Sequence, residues 1–353
     1  MDKEINVGLL GFGMAGSMFH APFIANVAGL RLQKIKANRA ESIALANARY
    51  PAAEVVAHEQ DIFNDAAIDL VVVATTSPTH YHMAKAALQA GKHVLVDKPF
   101  TVTSAEADEL IALAREKGKL LTVYQNRRWD SDFKTVRKVL SQQLLGELVE
   151  YEAHFDRFRN EVKPGTWKEE DLPGTGILYD LGTHLIDQAL CLFGEPLEVQ
   201  GDVRALRKET QVADYAEVTL RFQGVKAILK ASMLVREQGP HFILHGTKGS
   251  FIKYGMDMQE EHLKQGKSPA DTPDWGTEPE SLWGTLNTDV QGLHVKGKVE
   301  SKSGDYTGLY ENVYRAILGQ EELQVKPEQA RNTIRIIELA LQSSKEKRSI
   351  KFS

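Results

Sequence analysis

Through its first 125 residues the chain alternates short apolar runs with longer amphipathic stretches, the pattern of a parallel sheet covered by helices. Strands are predicted at 5–10, 30–37, 53–57, 70–75, 93–97 and 120–124. The sharpest is Leu70-Val71-Val72-Val73-Ala74, apolar at every position as a strand buried on both faces requires. Residues 103–117, rich in Ala, Glu and Leu, predict a helix. Beyond Asn126 the pattern changes, and helices are predicted at 133–145, within the Gly-led stretch 174–193 and at 331–345. Between them Ala216, Val218, Leu220 and Phe222 alternate with Glu217, Thr219 and Arg221, the two-residue period of a strand with one buried face. Residues 226–235 and 242–254 continue such a sheet. The stretch 255–305 is polar and dense in Gly, Pro and Trp, which predicts a long excursion outside the core.

Composition narrows the class. A chain of 353 residues, 42% hydrophobic and 26% charged, suits two globular domains, here expected at 1–125 and 126–353. A net charge of −5 without a basic stripe argues against a nucleic-acid partner. No apolar run reaches the ~20 residues of a membrane span. The lone Cys191 excludes an internal disulfide, and the first residues lack the basic and apolar segments of a signal peptide, so a cytoplasmic location is expected.

The first candidate chemistry is Gly11-Phe12-Gly13-Met14-Ala15-Gly16, between the first predicted strand and a helix. In that context the first glycine permits the tight turn, the second lets the backbone approach a pyrophosphate, and the third lets helix and strand pack closely. An acidic residue at the end of the second strand would bind the ribose hydroxyls of NAD. Here that strand ends in Asn38-Arg39, with no carboxylate before Glu41, which points to the extra phosphate of NADP.

Thr75, Pro78, His80 and His82 follow the fourth strand, and Asp97-Lys98-Pro99 the fifth, at strand ends where open α/β sheets bind ligands. Further on, Asp180 and His184 stand four residues apart and, if helical, share one face. With these pieces in this order, the sequence resembles the Gfo/Idh/MocA oxidoreductase family over nearly its whole length, Asp97-Lys98-Pro99 standing for the family's usual Glu-Lys-Pro. The segments 19–22 (Phe-His-Ala-Pro), 179–184 (Tyr-Asp-Leu-Gly-Thr-His) and 257–260 (Asp-Met-Gln-Glu) look most like its NADP-dependent scyllo-inositol dehydrogenases. The resemblance implies an α/β fold: an N-terminal Rossmann domain, and a C-terminal α/β domain whose large open, mostly antiparallel sheet often serves homo-oligomers, here a dimer or tetramer. It also implies a catalytic trio of Lys98, Asp180 and His184, and a Lys98–Pro99 bond that is cis.

The chemistry agrees with that trio. Oxidising a secondary alcohol needs a base for the hydroxyl proton while hydride leaves the carbon, and histidine, with an ordinary pKa near ~6.5, serves as base and acid at cellular pH. His184 takes that role, Asp180 orients it, and Lys98 offers positive charge to the developing alkoxide. The expected cofactor contacts are Gly11, Phe12, Gly13, Met14, Ala15, Asn38, Arg39, Thr75, Pro78, His82, Asp97, Lys98, Asn126, Trp167 and Lys168. His20, His80 and His93 could equally be structural, and Arg127, Asp156 and Arg159 could be substrate contacts or salt bridges. No metal is expected, since His184 and Asp187 are a lone pair of possible ligands. The expected substrate is a small polyol or sugar. Reduction of an aldose, anhydroketose or dihydrodiol-type compound stays open as an alternative, as does a non-catalytic NADP(H) sensor.

Overall fold

The computed structural model describes residues 3–163 and 165–353. They fall into two compact units, Met1–Asn126 with Gln259–Trp275 and Asp305–Arg331, and Arg127–Met258 with Gly276–Gly304 and Asn332–Ser353. Among the described residues no helix is long and apolar enough to cross a membrane.

In the first unit β1 (Ile5–Leu10), β2 (Leu30–Lys36), β3 (Glu54–Val56), β4 (Leu70–Val73), β5 (His93–Val96) and β6 (Leu121–Val123) form a parallel sheet in the order β3-β2-β1-β4-β5-β6. This is the doubly wound Rossmann order, with its switch point between β1 and β4. Every residue of β4 is buried, as its unbroken apolar run requires. The helix Ser104–Lys117 starts where Thr103 and Glu106 cap each other reciprocally and stops at Gly118, φ +61°. The two later segments complete this core. Gln259, fully buried, accepts hydrogen bonds from the Trp275 indole at 2.9 Å and the Tyr306 amide at 2.8 Å, and Phe23 meets both rings edge-on.

The second unit is built on β7 (Leu148–Asp156), β8 (Glu198–Arg204), β9 (Tyr215–Arg221), β10 (Lys226–Ser232), β11 (Phe242–Gly246), β12 (Gly249–Lys253), β13 (Gly284–Val290), β14 (Leu293–Val299) and β15 (Ile350–Lys351), in the order β14-β13-β12-β11-β7-β10-β9-β8-β15. All neighbours are antiparallel except the central pair β7 and β10. Register brings Leu220, Ala227, Tyr151 and Leu244 into one buried row and Val218, Leu229, Ala153 and Phe242 into the next. The opposite face carries part-exposed charges, with Lys226 near Glu150, Lys230 near Glu217 and His154 near Glu152. The edge strand β14 is exposed along nearly its whole length.

The expected excursion at 255–305 is corrected by these strands. β13 turns Leu286 and Thr288 into the core, and residues 259–275 belong to the first unit. Two-residue alternation over so short a strand is hidden by the Gly and Pro around it. The last helix, Pro327–Glu346, starts earlier than the pattern predicts because Pro327 suits a first turn.

A set of charged side chains is buried inside the second unit. Lys253 Nζ lies 3.0 Å from Glu278 Oε2, both side chains being fully buried. Ser131 ties two carboxylates, its amide donating to Asp257 at 2.8 Å and its hydroxyl to Glu278 at 2.6 Å. Asp132 accepts from the amides of Phe133 and Asp257 and lies 3.6 Å from His241. Burial lifts Asp132 from 3.8 to about 7; Lys253 opposes the shift, and Asp257 and Glu278 add to it. Burial also drives His241 down to about 3, so it is neutral and lends no charge. A carboxyl whose folded pKa is raised contributes stability that is complete below its unfolded value and is lost as pH rises toward the folded one. The loss therefore falls between about pH 4 and 7, at up to ~1 kcal/mol per pH unit. Asp132→Asn cannot ionise, so its thermal midpoint should fall less than that of the wild type between pH 5 and 8. Parallel melting curves at pH 5, 6, 7 and 8 would remove Asp132 as the cause.

Candidate active site

In the first unit the polar strand ends gather at the carboxyl edge of the sheet. Gly11 has φ +96°, and a Cβ there would lie 2.6 Å from the Ala74 carbonyl oxygen. At Gly16 a Cβ would lie 2.0 Å from the Gly11 carbonyl, whereas at Gly13 it would meet nothing within 4 Å. Two glycines are thus fixed by packing, and the middle one leaves open surface at a helix start. That cradle fits a pyrophosphate approaching the backbone. Phe12 is buried edge-on to Tyr50, Met14 is exposed, and Ala15 opens a π-wound turn, Ala15–His20. Asn38 and Arg39 stand exposed just past β2, Arg39 at the cap of the helix Ala40–Arg49.

At the end of β4 the hydroxyls of Thr75 and Thr79 lie 2.7 Å apart, and Pro78 sits in the turn Ser77–Thr79. His80 is structural: its buried ring faces the carbonyls of Pro99 and Thr75, and burial lowers its pKa. His93 is held near 4 by burial and accepts from the Leu120 amide. His82 is exposed, its ring against Tyr81. The Lys98–Pro99 bond is cis. Asp97 folds back onto the Lys98 amide at 2.8 Å, and its other neighbour is His20, 3.6 Å away. Burial works against the Asp97 carboxylate, but His20, Lys98 and His80 outweigh it and hold the pKa below its ordinary value. His20 in turn meets the Tyr310 hydroxyl at 2.6 Å and packs on the Tyr124 ring. Sequence reasoning left this histidine undecided. Its partner at position 310 is too distant along the chain for any spacing rule. Asn126, buried, ends the first segment of the unit.

In the second unit Asp180 and His184 straddle a change of winding. The turn Leu178–Gly182 is π-helical and the helix Thr183–Phe193 is α. The two residues are thus helical, but not in one regular α-helix: Asp180 sits in the wider turn, a winding that often marks functional sites. Gly176, φ +88°, starts that turn, and its carbonyl accepts from the Asp180 amide at 3.0 Å. The Asp180 carboxylate, about one quarter exposed, accepts from Lys168 Nζ at 2.9 Å. His184 is almost fully buried, 6.2 Å from the Phe155 ring between centroids. Trp167 shares a single 3-10 turn with Lys168, whose ammonium lies 5.9 Å from its ring.

Several weaker candidates have partners within the second unit. Asp187 makes a buried bidentate pair with Arg128, both contacts at 2.7 Å, and is engaged there rather than beside His184. Arg127 pairs with Asp130 at 3.1 Å and covers the Phe155 ring. Asp156 faces His154 at 3.8 Å, and Arg159 offers its backbone carbonyl to Arg207. Among the described residues no group of three or more His, Cys, Asp or Glu side chains is arranged to hold a metal ion.

A glycine cradle at the Rossmann switch point, and a carboxylate and imidazole on successive turns of a second α/β unit, define an oxidoreductase with a dinucleotide cofactor. Residues 5–125 match the NAD-binding Rossmann fold of the Gfo/Idh/MocA oxidoreductases, and residues 137–352 match their C-terminal alpha/beta domain. The chain belongs to that family, and its first unit is an NAD(P)-binding Rossmann domain. It is 42% identical over 347 residues to the scyllo-inositol 2-dehydrogenase (NADP+) of Bacillus subtilis strain 168, covering 98% of this chain and 95% of that protein. It is also 42% identical to an uncharacterized oxidoreductase of Escherichia coli strain K12, over 99% of each chain. Among solved structures, an oxidoreductase from Bacillus subtilis superposes with a TM-score of 0.94 at 41% identity, covering 99% of this chain and 98% of that one.

Proposed function

We propose that the protein is an NADP-dependent dehydrogenase that interconverts a secondary alcohol of a cyclic polyol, scyllo-inositol, with the corresponding inosose. The observation that carries the reading is the Asp180–His184 turn, a partly exposed carboxylate held by a cation and followed by a buried imidazole. The full-length similarity to an NADP-dependent scyllo-inositol dehydrogenase supports the substrate class. When bound, NADP supplies the acceptor for the hydride that leaves the carbinol carbon. Residues 11–15 would hold its pyrophosphate, Asn38 and Arg39 its 2′-phosphate, and Thr75, Pro78, His82, Asp97 and Asn126 are the remaining candidates of the first unit. His184 takes the hydroxyl proton and returns it in the reverse direction. Asp180 orients the hydroxyl and stabilises the imidazolium, while the Lys98 ammonium stabilises the alkoxide as it forms. The substrate test is a polyol panel with NADP beside an inosose and sugar panel with NADPH, in which oxidation of no cyclic polyol would shift the reading to a sugar reductase.

Three expectations follow from these roles. His184→Ala should lose ~10²- to 10⁴-fold in kcat with NADP affinity nearly intact, and a variant keeping more than half of wild-type turnover would remove His184 from the mechanism. The part-exposed face of the nine-stranded sheet is proposed as the interface of a homo-oligomer; light scattering that finds only monomer at micromolar concentration would exclude it. Cofactor choice follows from the end of β2. Arg39 offers a permanent charge and a planar fork of donors to the 2′-phosphate, where a carboxylate at position 38 would repel it. A charge-assisted hydrogen bond contributes ~1.5–3 kcal/mol, so NADP should be preferred at least about tenfold in kcat/KM. Asn38→Asp with Arg39→Ala should invert the preference, and a wild type that favours NAD would refute the assignment.

A further inference from the structure

Arg207 is a buried guanidinium that the reaction as proposed does not use. Its side chain is only 3% exposed, and it bridges two carboxylates. Nε donates to Asp214 Oδ2 at 2.8 Å, and Nη2 and Nη1 donate to the two oxygens of Glu169 at 2.7 and 3.2 Å. Nη1 also reaches the carbonyls of Arg159 and Glu161 at 3.4 and 3.3 Å. Asp214 is itself fixed, accepting from the amides of Leu206 and Arg207 at 2.7 and 3.0 Å.

The two carboxylates belong to two segments that touch the turn bearing Asp180, one at Asp180 itself and one where the turn begins. Glu169 follows Lys168 in its 3-10 turn. Ala213, beside Asp214, accepts from the Ile177 amide at 2.8 Å, where the turn bearing Asp180 begins. A Cβ on Gly176 would come within 3.2 Å of the same Ala213 carbonyl, so the two strands of chain lie in close contact there. Lys168 and Asp180 are 46% and 26% exposed, and a pair that open to water holds a long lysine chain in one geometry only weakly. The buried, forked guanidinium is the stronger tether, because breaking a desolvated ion pair leaves a charge uncompensated.

We propose that Arg207 is a positioning residue for the reaction: by tying Glu169 to Asp214 it sets the Lys168 ammonium against Asp180, so that the carboxylate is oriented before a substrate hydroxyl reaches it. The proposal rests on the reading that Asp180 acts in catalysis. A purely architectural Arg207 would lower stability without acting through Lys168.

The test uses the full chain with NADP and scyllo-inositol, and the variants Arg207→Met, Lys168→Met and the two combined. Arg207→Met should lower kcat/KM at least about tenfold, mainly through kcat, and Lys168→Met should do likewise. In the double variant the two losses should not multiply, because one acts through the other, while the fall in Tm should match that of Arg207→Met alone. Losses that multiply to about a hundredfold would overturn the proposal. Should Arg207→Met fail to fold, Glu169→Gln weakens one leg of the tether, leaves the Asp214 leg in place, and should still lower kcat measurably. Hydrogen exchange supplies a readout that needs no turnover: amides at 166–170 should exchange faster in Glu169→Gln, with those of Thr183–Phe193 unchanged, and equal exchange at 166–170 would overturn the tether. Asp180→Asn separates the two ideas. Full activity in that variant refutes the catalytic reading, whereas a crippled Asp180→Asn beside a fully active Glu169→Gln and Arg207→Met refutes the positioning role alone.

Discussion

A parallel sheet sends every strand's carboxyl end to the same edge, and the first unit is organised by that constraint. Between β1 and β4 the order of strands reverses, so the chain leaves the two neighbours toward opposite faces and the edge opens between them. The glycines serve that geometry in different ways. Gly11 and Gly16 let the turn and the following helix close against Ala74 and each other, which no side chain would permit, and Gly13 keeps the exposed surface bare. Asp97, Lys98 and the hydroxyls after β4 come to the same edge because β4 and β5 are neighbours in register, Val73 beside Val96.

Local patterns were the legible part of this chain. The all-apolar β4, the glycine turn and the capped helix Ser104–Lys117 each carry their signal within a few residues, and the alternation of β9 is equally plain. The central strand β7 escaped notice. Its inward set, Tyr151, Ala153 and Phe155, is short and mixed in size, its outward set is mostly acidic, and its parallel partner β10 lies some seventy residues further on. The site divides in the same way. Asp180 and His184 could be read from their spacing, but the π winding between them could not, since it depends on the bonds that Gly176 and Ile177 make around the turn. His20 facing Tyr310, and Arg207 facing Glu169, are joined only by the fold.

Buried charge is handled in two contrasting ways within the second unit. Arg128 and Asp187 are matched one to one, a buried bidentate pair with both contacts at 2.7 Å. Around Ser131, by contrast, three carboxyls crowd together: Lys253 contacts Glu278 and opposes the shift of Asp132, while Asp257 and Glu278 add to it, and burial lifts the Asp132 pKa. A network of this kind is costly to break at any one member and holds its backbone in a single arrangement, here the junction of Ser131, Phe133 and Asp257.

The two rims of the nine-stranded sheet also differ from its middle. At one rim β15 has just two residues, too short to template another strand. At the other, β14 offers a full row of backbone groups to solvent, but it alternates Leu293 and Val295 with Lys296 and Lys298 and is interrupted by Gly297. A second molecule docking there edge to edge would bring like charges together along an open ladder. The sheet is therefore finite by construction: neither rim invites it to grow sideways into a fibre, although β14 leaves a row of strand groups unpaired.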